Sequence, residues 1–278
     1  MTEQRFNTGE TPEELRQRYN PEGSNLRRAQ QRLTDMLDYL SQAAREAGVS
    51  IRLDGGNVLG AVRHGGFIPW DDDIDVVIER RDYKRLCRYL LAHPHPSYVL
   101  QTHETDRDYF LPWGQLTDLK NAYTCPYAAD SREGIAWHRQ RQHGLHIDIF
   151  PYENRKIAWL HSLSVKLSCT VSFDIAVRYP ALAHVLFCLL RDAVYPLFRA
   201  IGRLFGNPDR YMHSYGSWFR FQFPKDVLLP HRPITFEGRV YEGPADTDRF
   251  LKLIYGDYMN LPPEDKRAVH GNEVVFKE

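Results

Sequence analysis

The sequence predicts an α+β fold: a mixed β-sheet flanked by helices and interrupted by a largely helical insertion. Three observations carry this. Leu26, Leu33, Leu37, Leu40 and Ala44 recur at helical spacing between Ser24, a residue suited to an N-cap, and Gly48, a natural stop. The runs Asp73-Ile74-Asp75-Val76-Val77-Ile78 and Leu145-His146-Ile147-Asp148-Ile149 alternate polar with β-branched or other apolar residues, the period of a strand with one buried face. Residues 156–205 are apolar in a helical rhythm, with Leu182, Val185, Leu186, Leu189, Ala193, Leu197, Ile201 and Leu204 forming a stripe. The expected organisation is a flexible arm over 1–23, a sheet-bearing core over 24–154, the helical insertion over 155–225, and a return to the core domain over 226–278.

In chain order, residues 1–23 are polar and carry Pro12, Pro21 and Gly23, which suits a poorly tied arm. After the helix over 24–47, residues 49–53 read as a strand that delivers the chain into Asp54-Gly55-Gly56-Asn57, with a helix starting near Val58. Residues 79–91 read as a helix broken by His93-Pro94-His95-Pro96. Strands are expected within 98–124 and again over 144–151, where Pro151 is read as ending the strand. Pro180 and Pro196 are expected to cut the helical insertion into pieces. Residues 211–223 are aromatic and suit either a core or the border of a cleft. Residues 235–241 suit a hairpin and 246–255 a helix ending at Gly256.

Composition narrows the function. Thirty-six basic and thirty-six acidic residues cancel, so no global field selects a nucleic acid polymer as partner, and phosphate handling must be local. The four cysteines form no CxxC pair and no Cys/His spacing that suits zinc, and the first residues lack the apolar core of a signal peptide; a reducing cytoplasm is the expected location. No window approaches the eighteen or so continuous apolar residues of a membrane span. Arg191, Arg199 and Arg203 fall on a common side, so residues 181–205 are read either as a helical cap on the sheet or as a basic amphipathic element at the inner face of an anionic membrane.

The chemistry concentrates in residues 54–78, DGGNVLGAVRHGGFIPWDDDIDVVI. On a strand, Asp73 and Asp75 point the same way while Ile74 and Val76 turn into the core. Two such carboxylates make a hard-oxygen site for Mg²⁺ or Mn²⁺, the ions that accompany phosphates. Asp71 and Asp72 are set aside, the first for its nearness to Pro69 and the second for its parity. Gly55 and Gly56 can bring backbone N–H groups to a phosphate, with Asn57 beside them. Arg63 and His64 are read as phosphate-gripping groups, Arg63 by its planar fork and His64 when protonated, against the plainer reading of Arg63 as a salt-bridge partner of an aspartate. Lys120 could reach a phosphate from its turn. His93, His95 and His103 are read as surface residues. At the second site His146 and Asp148 share a strand face, and Asp148 there needs a partner, which a metal or an attacking hydroxyl would supply.

Together these stretches resemble the LicD family of phosphotransferases, which includes the fukutin-related proteins, and behind it the nucleotidyltransferase fold. The resemblance rests on LDGGNVLGAVRHGGFIPWDDDIDV and GLHIDIFP, then on FEGRVYEGP and LIYGDYMNLPPEDKR, in that order. It implies that Gly55 and Gly56 cradle phosphates, that Asp73 and Asp75 hold the divalent ion and that Asp148 is the third carboxylate. It also implies a CDP-activated alcohol such as CDP-choline as donor and a hydroxyl of a cell-surface glycan or its precursor as acceptor. Asn57 departs from the Thr or Ser that often follows the glycines. Nucleotidyl transfer with release of pyrophosphate, a non-catalytic nucleotide- or glycan-binding protein on the same scaffold, and a structural Ca²⁺ site are the rival readings; the last lacks the glycine and closing glutamate of an EF-hand.

Overall fold

The computed structural model describes residues 5–125, 127–267 and 274–277. Its centre is a seven-stranded mixed sheet in which β1 (Ile51–Leu53), β2 (Ile74–Glu79), β6 (His146–Asn154), β4 (Gly114–Asp118) and β3 (Tyr98–Gln101) lie in that order. Two more strands, β7 (Arg210–His213) and β8 (Phe223–Pro224), extend it beside the far half of β6. β2 and β6 are parallel and the other neighbours antiparallel. Outside this sheet, β5 (Asn121–Tyr123) pairs with β11 (Val274–Phe276), and β9 (Arg232–Phe236) with β10 (Arg239–Gly243).

The predicted alternation holds: Ile74, Val76, Ile147 and Ile149 are buried. Over them pack α2 (Asn25–Glu46), capped by the Ser24 hydroxyl, and α4 (Arg80–Ala92). Pro151 does not end β6. It stands where the edge of β6 passes from β4, paired through residues 146–149, to β7, paired through 152–154, and the strand continues to Asn154. Within 98–124 the strands are 98–101, 114–118 and 121–123. The glycine pair lies inside the first turn of α3 (Gly55–His64), which starts earlier than expected.

The arm is a correction. Residues 12–19 form α1 (Pro12–Tyr19), closed by a capping box between Thr11 and Glu14. Leu15 is fully buried, Phe6 is buried, and Asn7 exchanges hydrogen bonds with the backbone of Leu261. A polar composition concealed two apolar anchors.

A helix that was not foreseen, α5 (Arg132–Arg139), precedes β6; the insertion comprises α6 (Ala158–Cys169), the short α7 (Ala176–Arg178), against which α5 packs, α8 (Pro180–Leu189) and α9 (Tyr195–Phe205). Pro180 opens α8, but Pro196 breaks nothing. A π-helical turn at Leu190–Val194 joins α8 to α9 and accommodates the missing N–H, so the helix runs from Pro180 to Phe205. By length and mean hydropathy this helix could cross a membrane, unlike the sequence reading, because a mean over the window tolerates Arg191 and Asp192. It also packs by one face: Ala183, Phe187, Leu190, Tyr195 and Phe198 join Phe110, Leu160 and Tyr215 in a second core. Arg191 pairs with Asp192 and Arg199 with Glu153, so the outward face is apolar more than basic. Its exposed residues include Leu182, Val185, Leu189, Leu197, Leu204 and Phe205. Two short helices, α10 (Lys225–Leu228) and α11 (Thr247–Tyr255), complete the chain's return to the sheet.

Candidate active site

The parallel register of β2 and β6 sets Asp75 opposite Asp148, one strand spacing apart. Asp73 lies one residue before β2 and interacts with Asp75. The start of α3 closes on the same point. A Cβ on Gly55 would stand 4.0 Å from Asp75 Oδ2 and 3.7 Å from the Tyr255 hydroxyl, and one on Gly56 would stand 3.2 Å from Asp71 Oδ2. Gly55 also has φ +46°, a conformation side chains disfavour. Asp71, which its nearness to Pro69 appeared to remove, therefore returns its carboxylate to the cluster by way of the turn.

Burial raises the Asp75 carboxyl well above the ordinary carboxylate range, and Asp73, Asp148, Asp54 and Asp71 raise it further. Burial also raises Asp148, but His146 and hydrogen bonds from Gln115 and Trp113 oppose that shift; Trp113 Nε1 donates to Asp148 Oδ1 at 2.7 Å. Tyr255 and Tyr123 face the same charge. Burial and then the aspartates raise both hydroxyls, and the Tyr123 hydroxyl donates to the Asp72 carbonyl at 3.5 Å.

Asn57 holds the acidic strand in place. Its Nδ2 donates to the Asp73 carbonyl at 3.0 Å and its Oδ1 accepts from the Asp75 N–H at 2.7 Å, so both amide ends are engaged by backbone. Asp54 ties the turn down from the other side. Its N–H donates to the Asp75 carbonyl, and its carboxylate meets Arg52 Nη1 at 3.0 Å and His213 Nε2 at 2.9 Å. Burial opposes ionisation of Asp54, yet Arg52 and His213 keep its carboxyl below the usual range. Neither His213 nor Tyr255 was singled out from sequence, where no local pattern links them to the acids.

Two expected phosphate ligands lie elsewhere. Arg63 and His64 end α3, more than two turns from Gly55. Arg63 Nε donates to His64 Nε2 at 2.9 Å, and Arg63 Nη1 donates to the carbonyls of Tyr258 at 2.9 Å and Asn260 at 3.2 Å. Burial lowers Arg63 to about 10 and His64 to about 3, with Arg63 and Arg16 adding to the effect on His64, so His64 is neutral and cannot act as the protonated donor. The pair fastens α3 to the chain after α11. Gly66 is structural too, since a Cβ there would overlap Glu237, which accepts from Phe67 N and pairs with Arg27. Lys120 is exposed on the turn between β4 and β5, away from the gathered acids.

His146 does belong. It shares the face of Asp148 and lines a cleft of about 270 Å³ with Gln115, Tyr123, Trp137, Phe173 and Trp218. Trp218 packs edge-on against Trp113, the donor to Asp148, with ring centroids 5.1 Å apart.

The LicD/FKTN/FKRP nucleotidyltransferase domain matches residues 48–180, from just before β1 to the start of α8. A lipopolysaccharide cholinephosphotransferase LicD of Haemophilus influenzae is 28% identical over an alignment of 272 residues, covering 88% of this chain and 95% of that protein. The human and mouse ribitol 5-phosphate transferases FKRP are 44% identical over 50 residues, 18% of this chain and 10% of theirs. With both acidic strands and the glycine turn inside the matched region, the chain carries a LicD-type nucleotidyltransferase domain and is an enzyme of LicD transferase type.

Proposed function

We propose that this chain transfers a phosphocholine-like group from a CDP-activated donor to a hydroxyl of a cell-surface glycan or its precursor, with the help of a divalent ion. The observation that carries the reading is the register that sets Asp75 beside Asp148 with the Gly55-Gly56 turn at the same point. The donor set fits Mg²⁺ or Mn²⁺: Asp73, Asp75 and Asp148 offer hard oxygens, and the raised Asp75 carboxyl marks surplus negative charge that a cation would offset. When bound, such an ion supplies neutralisation of phosphate charge.

The chain's own residues supply the positioning. The N–H groups at the start of α3 face phosphate oxygens, aided by the positive end of the helix. Asp148, held by Trp113 and Gln115, accepts the proton of the acceptor hydroxyl. The hydroxyl oxygen bonds to the distal phosphorus as the bond from that phosphorus to the CMP oxygen breaks, and CMP departs. Tyr123, Trp137, Phe173 and Trp218 give the adjoining cleft an aromatic lining, joined by Glu133. Aromatic faces with a carboxylate attract a quaternary ammonium, which supports choline over a polyol as the transferred alcohol.

The test supplies protein and Mg²⁺ with CDP-choline, CDP-ribitol or CDP-glycerol, and in a parallel arm with CTP, beside candidate glycans, and follows CMP, pyrophosphate and glycan phosphorus. CMP release with choline phosphate on the glycan is expected. Pyrophosphate release would replace this reading with nucleotidyl transfer, and donor binding without turnover would replace it with a binding protein.

We further infer a cytoplasmic protein that touches the inner face of the membrane through the apolar side of 181–205, near a lipid-linked acceptor. Co-sedimentation with anionic vesicles tests this, and equal recovery with and without vesicles would end it.

A further inference from the structure

Outside the acid cluster, His103, His184 and Cys188 bring three ligand atoms within 4.8 Å of one another. His184 and Cys188 are four residues apart on α8 and project from one face of it, while His103 arrives from the loop after β3. His103 Nε2 lies 2.8 Å from His184 Nδ1 and 3.8 Å from Cys188 Sγ. Around a tetrahedral zinc ion the usual bond lengths give nitrogen–nitrogen and nitrogen–sulfur edges of about 3.3 and about 3.6 Å. Shifts of roughly 0.5 Å on the two His103 edges, and of up to about 1.2 Å between His184 and Cys188, would therefore seat the ion.

The reading of His103 as a surface residue gives way here: it is 7% exposed, packed against Phe110 and Phe187. Its Nδ1 lies 3.0 Å from the Tyr109 carbonyl. A carbonyl only accepts, so Nδ1 carries the proton and the Nε2 lone pair points at the other two residues. This is the arrangement that orients metal-binding imidazoles. Burial also lowers the His103 pKa, which keeps the ring neutral near pH 7. A hydrogen bond between the two imidazoles accounts for the 2.8 Å separation, but it does not require a thiol at the same point. Nearby Arg191 is paired with Asp192 and Glu104, which tempers its charge, and Arg107 adds a second positive neighbour.

We propose that His103, His184 and Cys188 form a zinc site, with a fourth position open to water, that ties the helical insertion to the loop between β3 and β4. Two nitrogens and a thiolate suit zinc better than the Mg²⁺ or Mn²⁺ assigned to the carboxylates. On binding, Cys188 loses its thiol proton to solvent and His184 carries its proton on Nε2 in place of Nδ1, so one proton leaves per ion. The site is independent of the proposed reaction and stands whether or not that reaction is right.

The test uses the full chain, stripped with a chelator and titrated in separate samples with Zn²⁺ and with Co²⁺ as a spectroscopic stand-in. The expected result is one tightly held ion per chain, a thiolate-to-cobalt charge-transfer band, release of about one proton and a rise in Tm with Zn²⁺. Cys188→Ser should abolish the band, and both Cys188→Ser and His184→Gln should weaken zinc binding about tenfold or more. Asp73→Asn should leave the band intact, which separates this site from the acids. Absence of the band in the wild type, its survival in Cys188→Ser, or its loss in Asp73→Asn would overturn the proposal.

Discussion

Replacing Asp75 with asparagine is expected to abolish turnover while making the metal-free protein more stable. Neighbouring strands stand about 5 Å apart, and two carboxylates at that distance repel by about 3 kcal/mol at an effective dielectric constant near 20. Asp75 is half-buried, so solvent screening brings the net gain from removing its charge to roughly 1–2 kcal/mol. For a chain of this size that corresponds to a Tm increase of about 2–8 °C. The pH dependence follows from the sign of the shift. A carboxyl raised in the folded state holds its proton after the unfolded chain has lost it, so stability is greatest at acid pH and falls as pH rises through the raised value. Thermal melts in chelator from about pH 5 to about pH 8 should show that decline in the wild type and a flatter profile in Asp75→Asn. Adding Mg²⁺ should raise the wild-type Tm, by about 2.7 kcal/mol of stability at a hundredfold excess over Kd, and leave the variant nearly unmoved. A variant that melts lower than wild type in chelator, or that turns over donor at a near-normal rate, would refute the reasoning.

Asn57→Ala removes both amide contacts that fix the backbone at Asp73 and Asp75. It should cost about 1–3 kcal/mol in chemical denaturation and lower kcat more than it raises the donor KM, a split that steady-state kinetics resolves. Trp218→Ala opens the aromatic wall beside the Asp148 donor Trp113. It should raise KM for CDP-choline by about three- to tenfold, the value of one cation–π contact, with little change for CDP-ribitol. Equal effects on both donors would remove choline recognition from this cleft.

The sheet and its acids were legible because alternation fixes the faces of a strand. Asp73, Asp75 and Asp148 differ in sequence distance, yet each is flanked by residues that must be buried, and the register then brings Asp75 to Asp148. What stayed hidden depends on contacts that local pattern does not encode. Phe6 and Leu15 anchor a segment whose composition is polar, and a π-turn absorbs the proline at 196. His184 and Cys188 stand at a helical ligand spacing of four that the sequence reading passed over, but His103 joins them only when the insertion packs beside β3.

The misplaced residues, Arg63 and His64, show how the four sequence blocks fit together in the fold. Proximity in sequence to the aspartates suggested an ionic role, but ten residues of helix carry the pair away from Asp75 as surely as they bring Gly55 to it. At the far end Arg63 grips the carbonyls of Tyr258 and Asn260, in the same block whose Tyr255 hydroxyl faces the acids. Glu237, from the hairpin block, bonds the Phe67 amide beside Gly66. The glycine helix α3 is thus held at its base by the last two blocks and at its tip by Asp54, Asn57 and the acidic strand. The phosphate contacts proposed for the α3 N–H groups demand that both ends of the helix be fixed relative to the carboxylates. Residues far from the chemistry then bear on it through the position of one helix.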